Sequence, residues 1–192
     1  MELFRATEKE LRSTLEQARS YKEQTRRDVA QLKHLLNHSN GEELIALKER
    51  CARADDMNLT KLTNDKMYHF EQEKRTWHVS KAFCEEHGMH LATTKNAEEI
   101  YILHRKLRVL KIDELAWLSG TNSKQEHGHF IWHDGSVMNT NSTMWDNKNK
   151  ALVEGVDRCL FVYKGFEAFL YHAKCDRESA FICERPTICE HI

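Results

Sequence analysis

Proline occurs once, at Pro186, and glycine only seven times in 192 residues. So few breakers exclude a collagen-like repeat and a low-complexity linker chain. No apolar run approaches the length of about 18 residues that a membrane span needs. Neither charge dominates: 29 Lys and Arg against 30 Asp and Glu leave a formal net charge of −1. A chain so balanced exerts no overall pull on nucleic acid or anionic lipid. No two cysteines form a Cys-x-x-Cys pair, so zinc-ribbon and thioredoxin-type sites lack their signature. No serine, cysteine or carboxylate pair has the partners that nucleophilic or acid–base catalysis requires, and no enzyme is expected. What remains is 40% hydrophobic and 31% charged. That suffices for a compact core and excludes wholesale disorder. The length allows one ordinary domain with an extension.

The composition changes along the chain. Of the 17 aromatic residues, only Phe4 and Tyr21 precede residue 67, and of the glycines only Gly41 does. An aromatic-poor, charge-rich segment reads as helix rather than as a separate core. A seven-residue spacing picks out Phe4, Leu11, Ala18, Thr25 and Leu32, and four residues on, Glu8, Leu15, Lys22, Val29 and Leu36. Most of these are apolar, a usable seam for a helix partner that Glu8, Lys22 and Thr25 weaken. Breaker residues Asn37 to Gly41 interrupt it, and a second stripe follows at Leu44, Leu47, Cys51 and Ala54. The spacing predicts helices over 1–36 and 42–57, a coiled-coil neck spanning 1–66 that makes a homodimer or homotrimer. An amphipathic helix folded back on its own domain is the alternative.

From residue 67 short apolar runs alternate with polar loops. TWHVSKAFCEEHG reads as a helix with Gly88 falling just past its end, and Asn96–Leu110 as a second, with an N-cap residue, two early glutamates and a buried face at Ile100, Leu103, Leu107 and Leu110. AWLSG, HFIWHDG, CLFVYKG, EAFLYHAKC and SAFICE read as strands. Two helices followed by short strands and long loops predict an α+β domain over 67–192. Six cysteines and the sequons at Asn37, Asn58 and Asn141 favour disulfides, glycosylation and secretion. The opening MELFRATEKE has no apolar signal core and reads as a mature or trimmed form.

These residues carry a family likeness. WHVSKAFCEEHGMHLA, AWLSG, IWHDG, Trp145 and the spacing Cys159…Cys175…Cys183 ending in FICE resemble a C-type lectin-like domain over about residues 67–185. A short chain with a helical neck also resembles secreted insect lectins, some of them seminal-fluid proteins. The resemblance implies two helices, short antiparallel strands and long loops, with disulfides Cys84–Cys183 and Cys159–Cys175. Cys51 and Cys189 remain. The family's termini lie side by side, which favours an intrachain bond; Cys51 also sits on the apolar stripe, where a bond between neck helices is the alternative.

The resemblance further implies a sugar site built on calcium, an ion that takes about six to eight oxygen ligands. In this chain the family's Glu-Pro-Asn positions fall on Asn149, Lys150 and Ala151, the later acid on Asp157, and the Trp-Asn-Asp positions on Leu170, Tyr171 and His172. Asn149 and Asp157 offer oxygens; Ala151 offers no side-chain oxygen, Tyr171 and His172 stand where an amide and a carboxylate belong, and Lys150 adds positive charge. At the accessory calcium site Asn122 and Glu126 fall near the first two ligand positions, but Leu152 and Arg158 stand where acids belong. No calcium or other cofactor is expected. Asp146, Asn147, Asn149, Glu154 and Asp157 crowd the same region, so an altered calcium site is the alternative.

Other clusters carry less. His127, His129 and His133 have strand spacing but no fourth zinc ligand. His87 and His90 look like turn residues. His104, Arg105, Lys106, Arg108 and Lys111 read as the wet face of a helix, with an anionic-ligand patch as the alternative. The four tryptophans are expected in the core. The expected function is recognition of a protein or glycoprotein ligand through the loop surface between Asn139 and Tyr171, with Asn147, Asn149, Glu154, Asp157, Tyr171 and His172 as candidate contacts. A calcium-dependent carbohydrate lectin and a purely structural oligomerising module are the alternatives. Neither nucleic acid nor a membrane span is expected.

Overall fold

The structure, a computed structural model, describes residues 15, 18, 19, 21–34, 41–63, 65–112, 115–122, 129–138, 144, 145, 156–165 and 169–191. Residues 21–34 are helical (α1). They are followed by α2 (Glu42–Ala52), β1 (Thr60–Lys61), β2 (Lys66–Arg75), α3 (Trp77–Glu86), β3 (His90–Leu91) and α4 (Ala97–Val109). Then come β4 (Leu115–Thr121), β5 (Arg158–Tyr163), β6 (Leu170–Lys174), β7 (Ser179–Pro186) and a 3-10 turn, Thr187–His191. This is the expected α+β architecture.

The sheet runs β1-β2-β7-β4-β5-β6, with β3 also on β7. β7 is the hub. It pairs antiparallel with β2 on one side; on the other, β4 takes Ala180 and Phe181 in parallel and β3 takes Cys183 and Glu184. Both faces of β7 are covered, so it reads as an unbroken apolar run rather than as alternation. Its period of two still sorts the core. Ala180 and Ile182 join α4's Ile100, Leu103 and Leu107 on one face. Phe181 and Cys183 join Trp77, Cys84, Met89 and Trp117 on the other. All four tryptophans are buried.

Local chemistry sets the helices. Asn96 caps α4, its Oδ1 accepting from the Glu99 N–H at 2.9 Å, with Glu98 and Glu99 in the first turn. After α3 the chain turns through Gly88 at φ +69°, where a Cβ would also land on the Arg50 carbonyl. Glycine is needed there for both reasons.

Three disulfides close the molecule: Cys51–Cys189, Cys84–Cys183 and Cys159–Cys175. The first is intrachain and ties α2 to the turn after β7. With Leu47 and Cys51 buried, the second apolar stripe faces the domain rather than a partner helix. The helix expected over 42–57 stops at Ala52. Tight turns follow, with Ala54 N–H donating to Cys51 O at 3.1 Å and Met57 N–H to Ala54 O at 3.1 Å. These turns drive Ala54 into the core at 0% exposure.

Three further expectations are corrected. His104 is not on the wet face of α4: it is 5% exposed and bonds the Gly165 carbonyl at 3.1 Å. His90 is not a turn residue but half of β3, opposite Glu184. Within HFIWHDG the described residues make isolated bridges, Thr121 to Ile131 and Ile131 to Val137, instead of a continuous strand. The chain reverses there at Gly135, φ +82°, with Asp134 Oδ1 accepting from Ser136 N–H at 2.9 Å.

Candidate functional site

β6 carries two of the candidate contacts, and its alternation decides where they point. Leu170 is fully buried, with Trp145 bridged beside it. His172 shares that face: its ring lies 5.7 Å from Phe130 and 6.0 Å from Trp145, and those two rings are 5.3 Å apart. Tyr171 points the other way and stacks on Phe161 at 5.6 Å with an interplanar angle of 18°. The two positions that the resemblance gives to an amide and a carboxylate thus extend the aromatic packing on either side of the strand.

The start of β5 is organised by Asn122 at the end of β4. Asn122 is 8% exposed. Its Oδ1 accepts from the Arg158 N–H at 2.6 Å, and its own N–H donates to the Arg158 carbonyl at 3.1 Å. Thr121 Oγ1 donates to the same carbonyl at 3.1 Å. These bonds join the two ends of the long excursion between β4 and β5. Arg158 is half-buried, and its Nε has no hydrogen-bond partner among the described residues. Asp157, beside it, is exposed. Asn147, Asn149, Lys150, Ala151, Leu152 and Glu154 lie outside the described residues, as do Glu126, His127, Asp146, Asn37 and Asn141. Asn58 is exposed, and its carbonyl pairs with His69 Nδ1 at 3.3 Å.

A second cluster was not legible in the sequence. His133 Nδ1 meets Thr93 Oγ1 at 2.9 Å, Thr93 meets Ser119 Oγ at 2.8 Å, and the His133 ring stacks on His90 at 4.5 Å. Burial, then the neighbouring His90, holds His133 down to about 4, and burial likewise lowers His90. The pair separates two clefts. One, of about 160 Å³, is lined by Trp77, Leu91, Ser119 and Ile131. The other, of about 300 Å³, is lined by Lys66, Glu184 and Arg185, and by Gln24, Asp28 and Gln31 of α1. Lys66 Nζ reaches Glu184 at 3.1 Å, Glu99 at 3.2 Å and the Thr93 carbonyl at 2.7 Å. Burial lifts Glu184 to about 7 against the pull of Lys66. Burial opposes the charged form of Lys66, but its two carboxylates raise it overall. Each of these contacts spans many residues of sequence, and no local pattern announces them.

Residues 73–185 match the family model of the lectin C-type domain, more than half of the chain, which therefore belongs to that family. The family and its fold are those of non-enzymatic recognition domains. Among curated relatives, C-type lectin domain family 4 member M of Gorilla gorilla gorilla is 28% identical over 123 residues, 64% of this chain and 31% of that protein. The secretory phospholipase A2 receptor of Mus musculus is 32% identical over 129 residues, 63% of this chain and 8% of that one. The chain thus spans less than a third of the first relative's length. The carbohydrate-recognition domain of the mouse scavenger receptor C-type lectin superposes with a TM-score of 0.55 at 27% identity, covering 67% of this chain and 93% of that one. Among the described residues no helix is long and apolar enough to cross a membrane.

Proposed function

We propose that this is a secreted recognition protein that binds a protein or glycoprotein ligand through the loop surface between Asn139 and Tyr171, without the family's calcium. The observation that carries this reading is the fate of Tyr171 and His172. Calcium needs about six to eight oxygens. The His172 imidazole, packed near Phe130 and Trp145, supplies no oxygen. The Tyr171 ring is held against Phe161. Asn122 spends its side-chain oxygen on the Arg158 amide, and the Arg158 guanidinium brings a fixed positive charge to the accessory position. Asp157 alone among these described positions keeps an exposed carboxylate.

Three disulfides support an oxidising compartment, and the sequon at exposed Asn58 supports glycosylation. Of the neck expected over 1–66, only the first helix is left for pairing, since α2, the turns after it and β1 belong to the domain; we place the contact between two or three copies on that first helix, so that weak sites act together. Its support is the exposed seam of the first helix, where Leu15 is 51% and Val29 45% exposed.

The test is binding of the full chain to immobilised glycoproteins and to a glycan array, in EDTA and again in millimolar calcium. Equal binding in both conditions is expected. Binding that vanishes in EDTA and returns with calcium would instead establish a calcium-dependent carbohydrate lectin.

A further inference from the structure

The outer face of α4 has no part in the reading above. Tyr101, Arg105, Arg108 and Lys111 follow one another at helical spacing and are all exposed. They form one stripe about 15 Å long. The Arg105 guanidinium sits over the Tyr101 ring at 5.8 Å, and Val109 beside it is 72% exposed. None of Arg105, Lys106, Arg108 and Lys111 has an acidic partner among the described residues, whereas Lys61, Lys81 and Arg75 are each paired. The helix's own acids, Glu98 and Glu99, stand in its first turn, and Glu99 is held by Lys66. Asp113 and Glu114 follow in sequence, outside the described residues.

The end of the helix adds an independent observation. The Lys111 N–H donates to the Arg108 carbonyl at 3.2 Å and the Ile112 N–H to Leu107 at 3.1 Å. This is the glycine-type helix stop, in which the residue after the cap adopts a left-handed conformation. Here that residue is Lys111, at φ +56°, the one non-glycine residue with positive φ among those described. Glycine would hold this conformation at lower cost. The strain at this position buys a third cation at the end of the stripe.

We propose that this stripe binds a sulfated glycosaminoglycan chain. Unpaired guanidinium and ammonium groups spaced along a straight element match sulfates spaced along an extended polymer. The exposed Tyr101 ring offers a flat face for a sugar ring. A membrane surface would need more apolar side chains in the plane of the cations than Val109 and Tyr101 provide. The disulfide-rich fold favours an extracellular polyanion over nucleic acid.

The experiment measures binding of the full chain to heparin at physiological ionic strength, with desulfated heparin, single-stranded DNA and phosphatidylserine vesicles as comparison probes. Because the whole chain carries −1, net charge alone would not retain it. We expect heparin to bind and desulfated heparin not to. Arg105→Gln and Arg108→Gln should each weaken binding by about fivefold, and each should lower the salt dependence by about one counterion. Lys111→Gly should weaken binding while raising the melting temperature, a combination that a purely structural lysine would not give. The proposal fails if wild type is not retained, or if the variants bind as tightly as wild type. Tighter binding to DNA or vesicles than to heparin would equally overturn the sulfated-glycan assignment.

Discussion

His133 shows how one residue can be read only through its partners. In the sequence it is one of three histidines at strand spacing that lack a fourth zinc ligand. In the fold it is fixed by Thr93, stacked on His90 and held down to about 4. The unfolded chain takes up this proton near the ordinary histidine value of about 6.5, the folded chain not until about 4. His133 therefore costs stability as pH falls through that window. Glu184 acts in the opposite sense, since burial lifts it to about 7 and its native proton uptake stabilises as pH falls. Comparing His133→Asn with wild type cancels the Glu184 contribution. The melting temperature of the variant, relative to wild type, should be higher at about pH 5 than at about pH 7.5. A difference that does not change with pH would contradict this account of the residue. His104 carries a different lesson. Its basic neighbours suggested solvent, yet Ile100, Leu103, His104 and Leu107 share the spacing of one buried helical stripe, so the signal was present and charge obscured it.

At the scale of elements, legibility followed the range of the interactions. α4 was readable because its cap, its early acids and its apolar spacing all lie within its own residues. β7 was readable as an apolar run because both of its faces are covered. β3 was not, since a two-residue strand exists only through β7. The Asn122 clamp on Arg158 spans 36 residues and leaves no local trace. The end of α2 is likewise set from outside, by the Cys51–Cys189 bond and by Arg185 Nη1, which donates to the Cys51 carbonyl at 2.7 Å. That disulfide closes the longest loop, with 138 residues of separation. In the chain-entropy model a loop of about 100 residues is worth about 4.7 kcal/mol. The double variant Cys51→Ser, Cys189→Ser should lose about 3–5 kcal/mol in denaturant unfolding, with amide exchange rising first in α2. Unchanged exchange in α2 would mean that packing, not the bond, holds it.

For the whole molecule, the two sides of the first helix differ in burial. Asp28 is buried and, with Gln24 and Gln31, borders the cleft beside Lys66. Leu15 and Val29 stay exposed. The proposed contact between copies uses that exposed apolar side. Sedimentation of the full chain should therefore give a dimer or trimer, and Leu15→Glu with Val29→Glu should give a monomer of unchanged helicity. A wild-type monomer at high concentration would restrict α1 to covering its own domain. Recognition without calcium is the claim on which the functional reading rests, and calorimetry tests it most directly. The chain is melted in EDTA and again in millimolar calcium. An ion bound at about a hundredfold above its Kd adds about 2.7 kcal/mol, which for a chain of this size raises the melting temperature by about 5–10 °C. The account predicts no shift; a saturable rise of that size would contradict it.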